Sequence, residues 1–188
     1  QDNPMVDAQG LVEVPKWRHA LINIAHPLLK QGLVILDTPG LNAIGAEPEL
    51  TVSLIPQAHA VVFILGADTG VTKSDMAIWR EHLVDDEADT STRLVVLNKI
   101  DTLWDALSTP AQIQAQIERQ KLSTAEILGI PAQQVIPVSA QKGLVAKVTH
   151  DPELLAQSCL STLEDVLGRG IMDQRQKILG SAVASGIA

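Results

Sequence analysis

The chain has 188 residues, a length that suits one domain, and its apolar content of 46 % is sufficient for a sizeable core. Its net charge of −8, without a basic run, makes it a poor candidate for binding nucleic acid or for contacting anionic lipid by itself. The single cysteine, Cys159, excludes an internal disulfide framework and suits a reducing cytoplasm. Because aromatic residues are scarce, we expect a core of Ala, Val, Ile and Leu, as in a parallel sheet covered by helices.

Two apolar segments near the start of the chain predict strands. Residues 19–24 alternate loosely between apolar and polar positions, which favours an edge strand. Residues 33–36, with the sequence LVIL, form a short continuous apolar run that predicts a buried strand. The loop that follows, 37–48, begins with the pattern DTPG from Asp37 to Gly40 and contains further Gly and Pro, so we expect it to be mobile.

A strand, a helix and an acidic loop follow in the middle of the chain. Residues 60–65 form an apolar run that predicts a strand buried on both faces. Thr72 or Ser74 is expected to cap the helix after it, because hydroxyl side chains accept from the first free backbone N–H groups of a helix. The acid-rich stretch 85–89 indicates a solvated loop rather than a metal site.

The second half of the chain continues the alternation of strands and helices. The run LVVL at 94–97 predicts a buried strand, and the Thr-Pro pair at 109–110 predicts the start of a helix that ends near residue 128. The run VIPV at 135–138 predicts a further strand. Two more helices are predicted, over 153–167 and from 172 to about 184. This alternation indicates an α/β fold with a parallel sheet and right-handed crossovers.

Polar loops follow three of the predicted strands at their carboxyl ends, where an open α/β sheet binds its ligands. They are DTPG, which begins at Asp37, NKID, from Asn98 to Asp101, and SAQKG, which begins at Ser139. The Asp101 carboxylate can accept two hydrogen bonds, from N1–H and the exocyclic amine of guanine, a pair that adenine does not offer on that edge. Asn98 can bond both the base and a neighbouring loop, and the stem of Lys99 can cover the flat ring.

Together, the three loops resemble the third, fourth and fifth motifs of the P-loop GTPases, which read DxxG, NKxD and SA(K). The resemblance implies a three-layer, mostly parallel sheet with helices on both faces. The first motif, GxxxxGK[ST], has no counterpart, because the chain contains no Gly-Lys dipeptide, and no Thr precedes Thr38. We therefore expect the N-terminal strand and the phosphate-binding loop to be missing from this fragment.

The missing strand has a structural consequence. In P-loop GTPases it lies between the strand expected at 33–36 and the one expected at 60–65, so its absence should leave two apolar strand edges unpaired. We expect the gap to be filled by the N-terminal segment, by another copy of the chain or by a shift of the sheet. Self-association as a dimer or a swapped assembly is therefore predicted.

The sequence around DTPG points to one group of GTPases. The segments WRHALIN at 17–23, HPLLKQGL at 26–33, ILDTPGLN at 35–42 and EPELT at 47–51 resemble the dynamin-like large GTPases of bacteria. The likeness covers roughly 12–145 and is strongest over 17–101. It implies a guanine-nucleotide switch that binds and hydrolyses GTP, associates through its GTPase face and remodels membranes through regions outside this chain.

The resemblance also implies a domain organisation and a location. Residues 1–170 would form a truncated dynamin-type GTPase domain, and residues 171–188 would begin a helical extension of the neck or bundle type. The protein would be cytoplasmic or peripheral at the inner membrane. It would bind no nucleic acid, in agreement with the acidic net charge.

On the phosphate side, the resemblance implies two site residues and one departure. Asp37 would hold a magnesium ion through water, and the amide of Gly40 would sense the γ-phosphate of GTP. Leu41 stands where Ras-like enzymes carry a Gln that orients the attacking water. Because Leu cannot do this, we expect no catalytic group in this fragment, and hydrolysis would depend on groups from the phosphate loop, the first switch and a facing partner.

On the base side, the resemblance assigns guanine recognition to the NKID loop at 98–101 and supporting roles to the loop after the last strand. Ser139 would brace the base-reading loop. The amide of Ala140 would bond the guanine oxygen, and Lys142 would lie over the ribose or the base. The implied cofactors are GTP or GDP with Mg²⁺.

Two alternatives remain open. The chain could be a fragment of another P-loop GTPase with Pro in its DxxG motif, such as the ribosome-assembly enzymes, which a basic RNA-binding extension would indicate; this chain shows none. It could also be a non-enzymatic GTPase-like interaction module. In that case, loss of the Asp101 carboxylate would change nothing.

Overall fold

A computed structural model describes residues 20–30, 32–38, 55, 58, 60–84 and 93–170 of the chain. Along the chain it divides into two units, with the boundary between Ile35 and Leu36. Several expectations fall outside the described residues and keep their status as predictions: the Gly40 amide, most of the loop after Asp37, the acid-rich stretch 85–89, and the helical extension from residue 171.

In the described part of the second unit, three parallel strands form a sheet in the order β1–β2–β3. They are β1 (Val61–Gly66), β2 (Arg93–Asn98) and β3 (Val135–Pro137). The predictions of strands at 60–65, 94–97 and 135–138 and of an α/β class with a parallel sheet are confirmed. Because Gly66 lies opposite Asn98, and Leu97 opposite Pro137, the three carboxyl ends meet at one edge of the sheet.

The helices begin and end at residues with specific capping chemistry. Thr72 accepts from the Asp75 N–H and forms a capping box, and Thr109 does the same with Gln112. Gly129 ends the helix that Thr109 caps, in a left-handed conformation, and the predicted end of this helix near residue 128 is confirmed. The helices are α1 (Pro27–Lys30), α2 (Lys73–Ile78) with a π-helical turn over Trp79–Leu83, α3 (Pro110–Leu128), α4 (Ala140–Thr149), α5 (Pro152–Ser158), and α6, which is helical over 160–170.

The main core lies on one face of the sheet. Trp79 is buried there, its ring centroid 5.3 Å from that of Phe63, and its Nε1–H donates to the Leu128 carbonyl at 3.2 Å. This bond satisfies the buried indole and ties the π-helical turn to the end of α3. The remaining buried members of this core come from all three strands and from α3, together with Ala67, Leu83 and Ile100.

β1 differs from its prediction. It was expected to be buried on both faces, but the side chains of Val62 and Ile64 are 40 % and 63 % exposed. Among the described residues, β1 pairs only with β2, so it is an edge strand. Val96 of β2 and Ile136 of β3 lie on the same face of the sheet as Val62 and Ile64, but they are buried. This face is therefore covered at β2 and β3 and exposed at β1.

The two strands predicted near the start of the chain do not form. Residues 20–26 and 33–38 are irregular, and Val34, Ile35 and Leu36 are 79 %, 67 % and 58 % exposed. An apolar run becomes a strand only when a neighbouring strand takes up its backbone N–H and C=O groups, and no described strand pairs with either segment. The expectation of a buried strand at 33–36 is therefore wrong for this structure.

Two further predictions are corrected at the C-terminal side. The helix expected over 153–167 is interrupted at Cys159, which has a φ of 56° and separates α5 from α6. The stretch SAQKG, expected as a polar loop, begins α4 directly, because Ser139 is its N-cap. Within the described ranges, no helix combines the length and the apolar character that crossing a membrane requires.

Candidate nucleotide-binding site

The NKID loop lies at the carboxyl end of β2, and contacts with the protein interior fix its backbone. Lys99 adopts a left-handed conformation, with a φ of 65°, and a short 3₁₀ helix over Ile100–Leu103 follows. The Ile100 side chain is fully buried, and its N–H donates to the Val138 carbonyl at 3.3 Å. The Lys99 carbonyl accepts from the hydroxyl of Thr102 at 2.7 Å. These contacts turn the loop sharply while its polar side chains remain at the sheet edge.

Asn98 joins the NKID loop to the start of α4. Its Oδ1 accepts from the Lys99 N–H at 2.8 Å and from the Ala140 N–H at 3.1 Å. The carbonyl side of the amide is thus used within the protein. Its NH₂ group has no hydrogen-bond partner among the described residues and can donate to a ligand. The Ala140 N–H already donates to Asn98 Oδ1. To bond a guanine oxygen, it would have to donate to both oxygens at once or leave Asn98.

Asp101 and Ser139 contact each other directly. The Ser139 hydroxyl donates to Asp101 Oδ1 at 2.6 Å and accepts from the Lys142 N–H at 3.2 Å. Ser139 is fully buried, whereas Asp101 is half-buried. Among the described residues, the Ser139 hydroxyl is the side-chain partner of the Asp101 carboxylate, and it binds Oδ1. Oδ2 and the second lone pair of Oδ1 can therefore accept from a ligand.

Lys99 is held by a residue that sequence reasoning did not select. Its Nζ donates to Asp68 Oδ2 at 3.1 Å, and this hydrogen bond, together with the positive charge of Lys99, lowers the pKa of the Asp68 carboxyl below its ordinary 3.8. Asp68 lies in the turn that directly follows β1. A signal was present, because Asp68 follows β1 at the same edge at which Lys99 follows β2.

The structure brings most of the predicted site residues together. Six of them lie at the carboxyl edge, in the NKID stretch and at the start of α4: Asn98, Lys99, Asp101, Ser139, Ala140 and Lys142. Asp37 lies in the irregular segment 33–38, exposed, with no hydrogen bond to these six among the described residues. A second missed group is the Ser158 carbonyl, which accepts from the Ser139 N–H at 2.8 Å, and nothing in the sequence pattern of 153–167 pointed to it.

Comparison with known proteins places this site in context. The chain is 32 % identical over 130 residues to a probable transmembrane GTPase, FZO-like and chloroplastic, of Arabidopsis thaliana, which covers 65 % of this chain and 13 % of that protein. It is 24 % identical over 100 residues to a bacterial dynamin-like protein of Nostoc punctiforme, which covers 53 % of this chain and 14 % of that protein. The chain is similar to dynamin-like GTPases over part of its length.

A further relative has no functional name. An uncharacterised protein from the xynA 3′ region of Caldicellulosiruptor sp. is 24 % identical over 160 residues, which covers 84 % of this chain and 38 % of that protein. The chain thus spans less than two fifths of the length of these relatives. No protein-family model matches the chain, and no solved structure matches it.

Proposed function

We propose that the chain is the base-recognising part of a larger dynamin-like GTPase (hereafter the complete protein) that binds and hydrolyses GTP to remodel membranes. The observation that carries the proposal is the Asp101 carboxylate, braced at 2.6 Å by Ser139 and with accepting capacity left for a ligand. The similarity to two proteins named as a probable FZO-like GTPase and a dynamin-like protein supports it. The parallel sheet supports it further, since such folds bind ligands at the carboxyl edge.

Base recognition follows from the donors and acceptors at this edge. Asp101 accepts from the N1–H and the exocyclic amine of guanine, and the Asn98 NH₂ donates to an acceptor on the ring. Lys99, held by Asp68, lays its aliphatic stem along the base. Asp101 selects guanine because adenine would leave the carboxylate without donors, and an unpaired charge in a half-buried position is costly.

The phosphate side of the proposed site rests on Asp37 and Gly40. Among the described residues, no group of three or more His, Cys, Asp or Glu side chains could hold a metal ion. Mg²⁺ in nucleotide sites needs no such group, because it binds one or two carboxylates, water and the phosphates themselves. The exposed Asp37 carboxylate fits a water-mediated role of this kind, in which the ion neutralises phosphate charge.

Hydrolysis is proposed for the complete protein rather than for this chain alone. Phosphoryl transfer to water is accelerated almost entirely by placement and charge stabilisation around the γ-phosphate. The chain contains no Gly-Lys dipeptide that could belong to a phosphate-binding loop, and Leu41 cannot orient water. The contribution of this chain is therefore to bind and select the base, and Gly40 would register the γ-phosphate.

The proposal is tested by exchanging Asp101 for Asn in the complete protein. The amide keeps the size of the carboxylate but can donate to the additional oxygen of xanthine, so nucleotide preference should shift from guanine to xanthine. A complete protein whose preference does not respond to this exchange would contradict the proposal.

A further inference from the structure

The junction between α5 and α6 has an unusual backbone. Cys159 separates the two helices with a φ of 56° and a ψ of 15°, the left-handed region that residues with a side chain adopt only at a cost. The Cys159 carbonyl again accepts a helical bond, from the Leu163 N–H at 3.3 Å. The interruption is thus confined to a single residue.

Because the helix is interrupted, the Ser158 carbonyl is available for a hydrogen bond to the candidate site. In a continuous helix the Ser158 carbonyl would accept from the N–H four residues later. Here it accepts instead from the Ser139 N–H at 2.8 Å. Ser139 is the residue whose hydroxyl braces Asp101, so the junction lies one hydrogen bond behind the base-reading carboxylate.

The Ser158 side chain stabilises the junction from inside. It is fully buried, and its hydroxyl donates to the Leu155 carbonyl at 2.7 Å and accepts from the Leu160 N–H at 3.2 Å. One side chain therefore satisfies the end of α5 and the start of α6, which are the groups that a helix break leaves unpaired.

Close packing holds the junction against α4. A Cβ at Gly143 would lie 2.6 Å from Leu160 Cδ2 and 3.0 Å from the Ser158 Oγ, so this position has no room for a side chain. Farther along the same helix pair, the Lys147 ammonium is ion-paired with the Glu164 carboxylate. The junction is thus fixed at the first turn of α4, directly after Ser139.

We propose that the α5–α6 junction is a positioning element for guanine recognition, in which the Ser158 carbonyl sets the place of Ser139 and, through it, of Asp101. This inference rests on the function proposed above. Ser158 and Cys159 touch no nucleotide in this account. They act on selectivity through the Ser139 backbone.

The decisive variant is Cys159→Val, compared with Cys159→Gly. A β-branched residue disfavours the left-handed conformation and favours a continuous helix, which withdraws the Ser158 carbonyl, whereas Gly keeps the break. His150→Val is the matched control, because His150 also ends a helix with a φ of 56°. That position lies at the far end of the ten-residue α4, about 15 Å from Ser139.

The readout is the ratio of the dissociation constants of IDP and GDP in the complete protein. IDP lacks the exocyclic amine, so the ratio reports the placement of Asp101 and does not follow overall stability. Cys159→Val should lower the ratio about tenfold, the factor that corresponds to one hydrogen bond to a charged group, while Cys159→Gly and His150→Val leave it unchanged. An unchanged ratio in Cys159→Val would overturn the inference.

A second measurement needs no nucleotide and uses the 188-residue chain. Hydrogen exchange of the Ser139 amide should be faster in Cys159→Val than in His150→Val, and equal rates would overturn the inference. If Cys159→Val does not fold, Ser158→Ala replaces it in both measurements, with the same expected direction and the same contradicting result. Asp101→Asn separates the two proposals: a normal shift towards xanthine with no effect of the junction variants removes this inference alone.

Discussion

The Ser139 hydroxyl donates a 2.6 Å hydrogen bond to Asp101 Oδ1, although 38 residues separate the two along the chain. Neighbouring parallel strands make this contact possible, because β2 and β3 end at the same edge of the sheet and the residues that follow them lie side by side. The bond fixes one carboxylate oxygen and leaves the rest of the carboxylate to a ligand. Guanine selectivity in our account depends on this arrangement.

Ser139→Ala should weaken guanine binding as well as stability. It removes the N-cap of α4, which costs about 1 kcal/mol in the free energy of unfolding, and also the brace on Asp101. GDP affinity in the complete protein should fall about tenfold.

The matched control for Ser139→Ala is Thr109→Ala. Thr109 caps α3 by accepting from the Gln112 N–H, as Ser139 caps α4, so its loss should cost a similar free energy of unfolding and leave GDP affinity unchanged. Denaturant unfolding and calorimetric titration measure the two quantities. Equal losses of GDP affinity in both variants would show that Ser139 acts only through stability.

The ion pair between Asp68 and Lys99 predicts a defined pH dependence. Lys99 lowers the pKa of Asp68 below 3.8, so the pair is complete above that pH and is lost as the pH falls through the lowered pKa. Carboxyl resonances of Asp68 should therefore titrate below 3.8 and show no change between neutral pH and pH 5. In Lys99→Met the midpoint should return towards the ordinary value, and a midpoint that stays unchanged would refute the pairing in solution.

The edge of β1 that no described strand pairs with predicts self-association of the chain. Val62 and Ile64 expose apolar side chains on a strand that, within the described residues, pairs on one side only, and such edges promote association. Light scattering should detect a dimer or larger assembly, and Ile64→Lys should weaken it. Val148→Lys adds the same charge at an exposed position of α4 and should have no effect. A stable monomer with full sheet content would count against this prediction.

The isolated chain should bind GTP weakly or not at all and should not hydrolyse it. The reason is the lack of a phosphate-binding motif, since the lysine and the amide cradle of that loop supply most of the acceleration. Fluorescent-nucleotide titration and phosphate release measure both properties. Sub-micromolar affinity, or phosphate release clearly above the blank, would contradict this expectation.

Some of the structure could be derived from the sequence and some could not, for identifiable reasons. The strands that lead to Asn98 and Ser139 are short apolar runs, and parallel pairing brings the residues after them to one edge of the sheet. The contact between Asp101 and Ser139 could therefore be expected from the sequence. The run at 33–36 has the same composition but no described partner strand, and strand formation depends on the partner. Cys159 lies in an ordinary helical pattern, and only tertiary contacts explain its left-handed turn.

The most direct test of the account compares GDP and XDP binding to the complete protein and to its Asp101→Asn variant by competitive titration. Asp165→Asn, the same exchange at an exposed site on α6, is the control. We predict that the wild type and the control prefer GDP and that Asp101→Asn prefers XDP, with a change in the ratio of the two dissociation constants of about tenfold or more. If all three proteins show the same ratio, Asp101 does not read the base and the account fails.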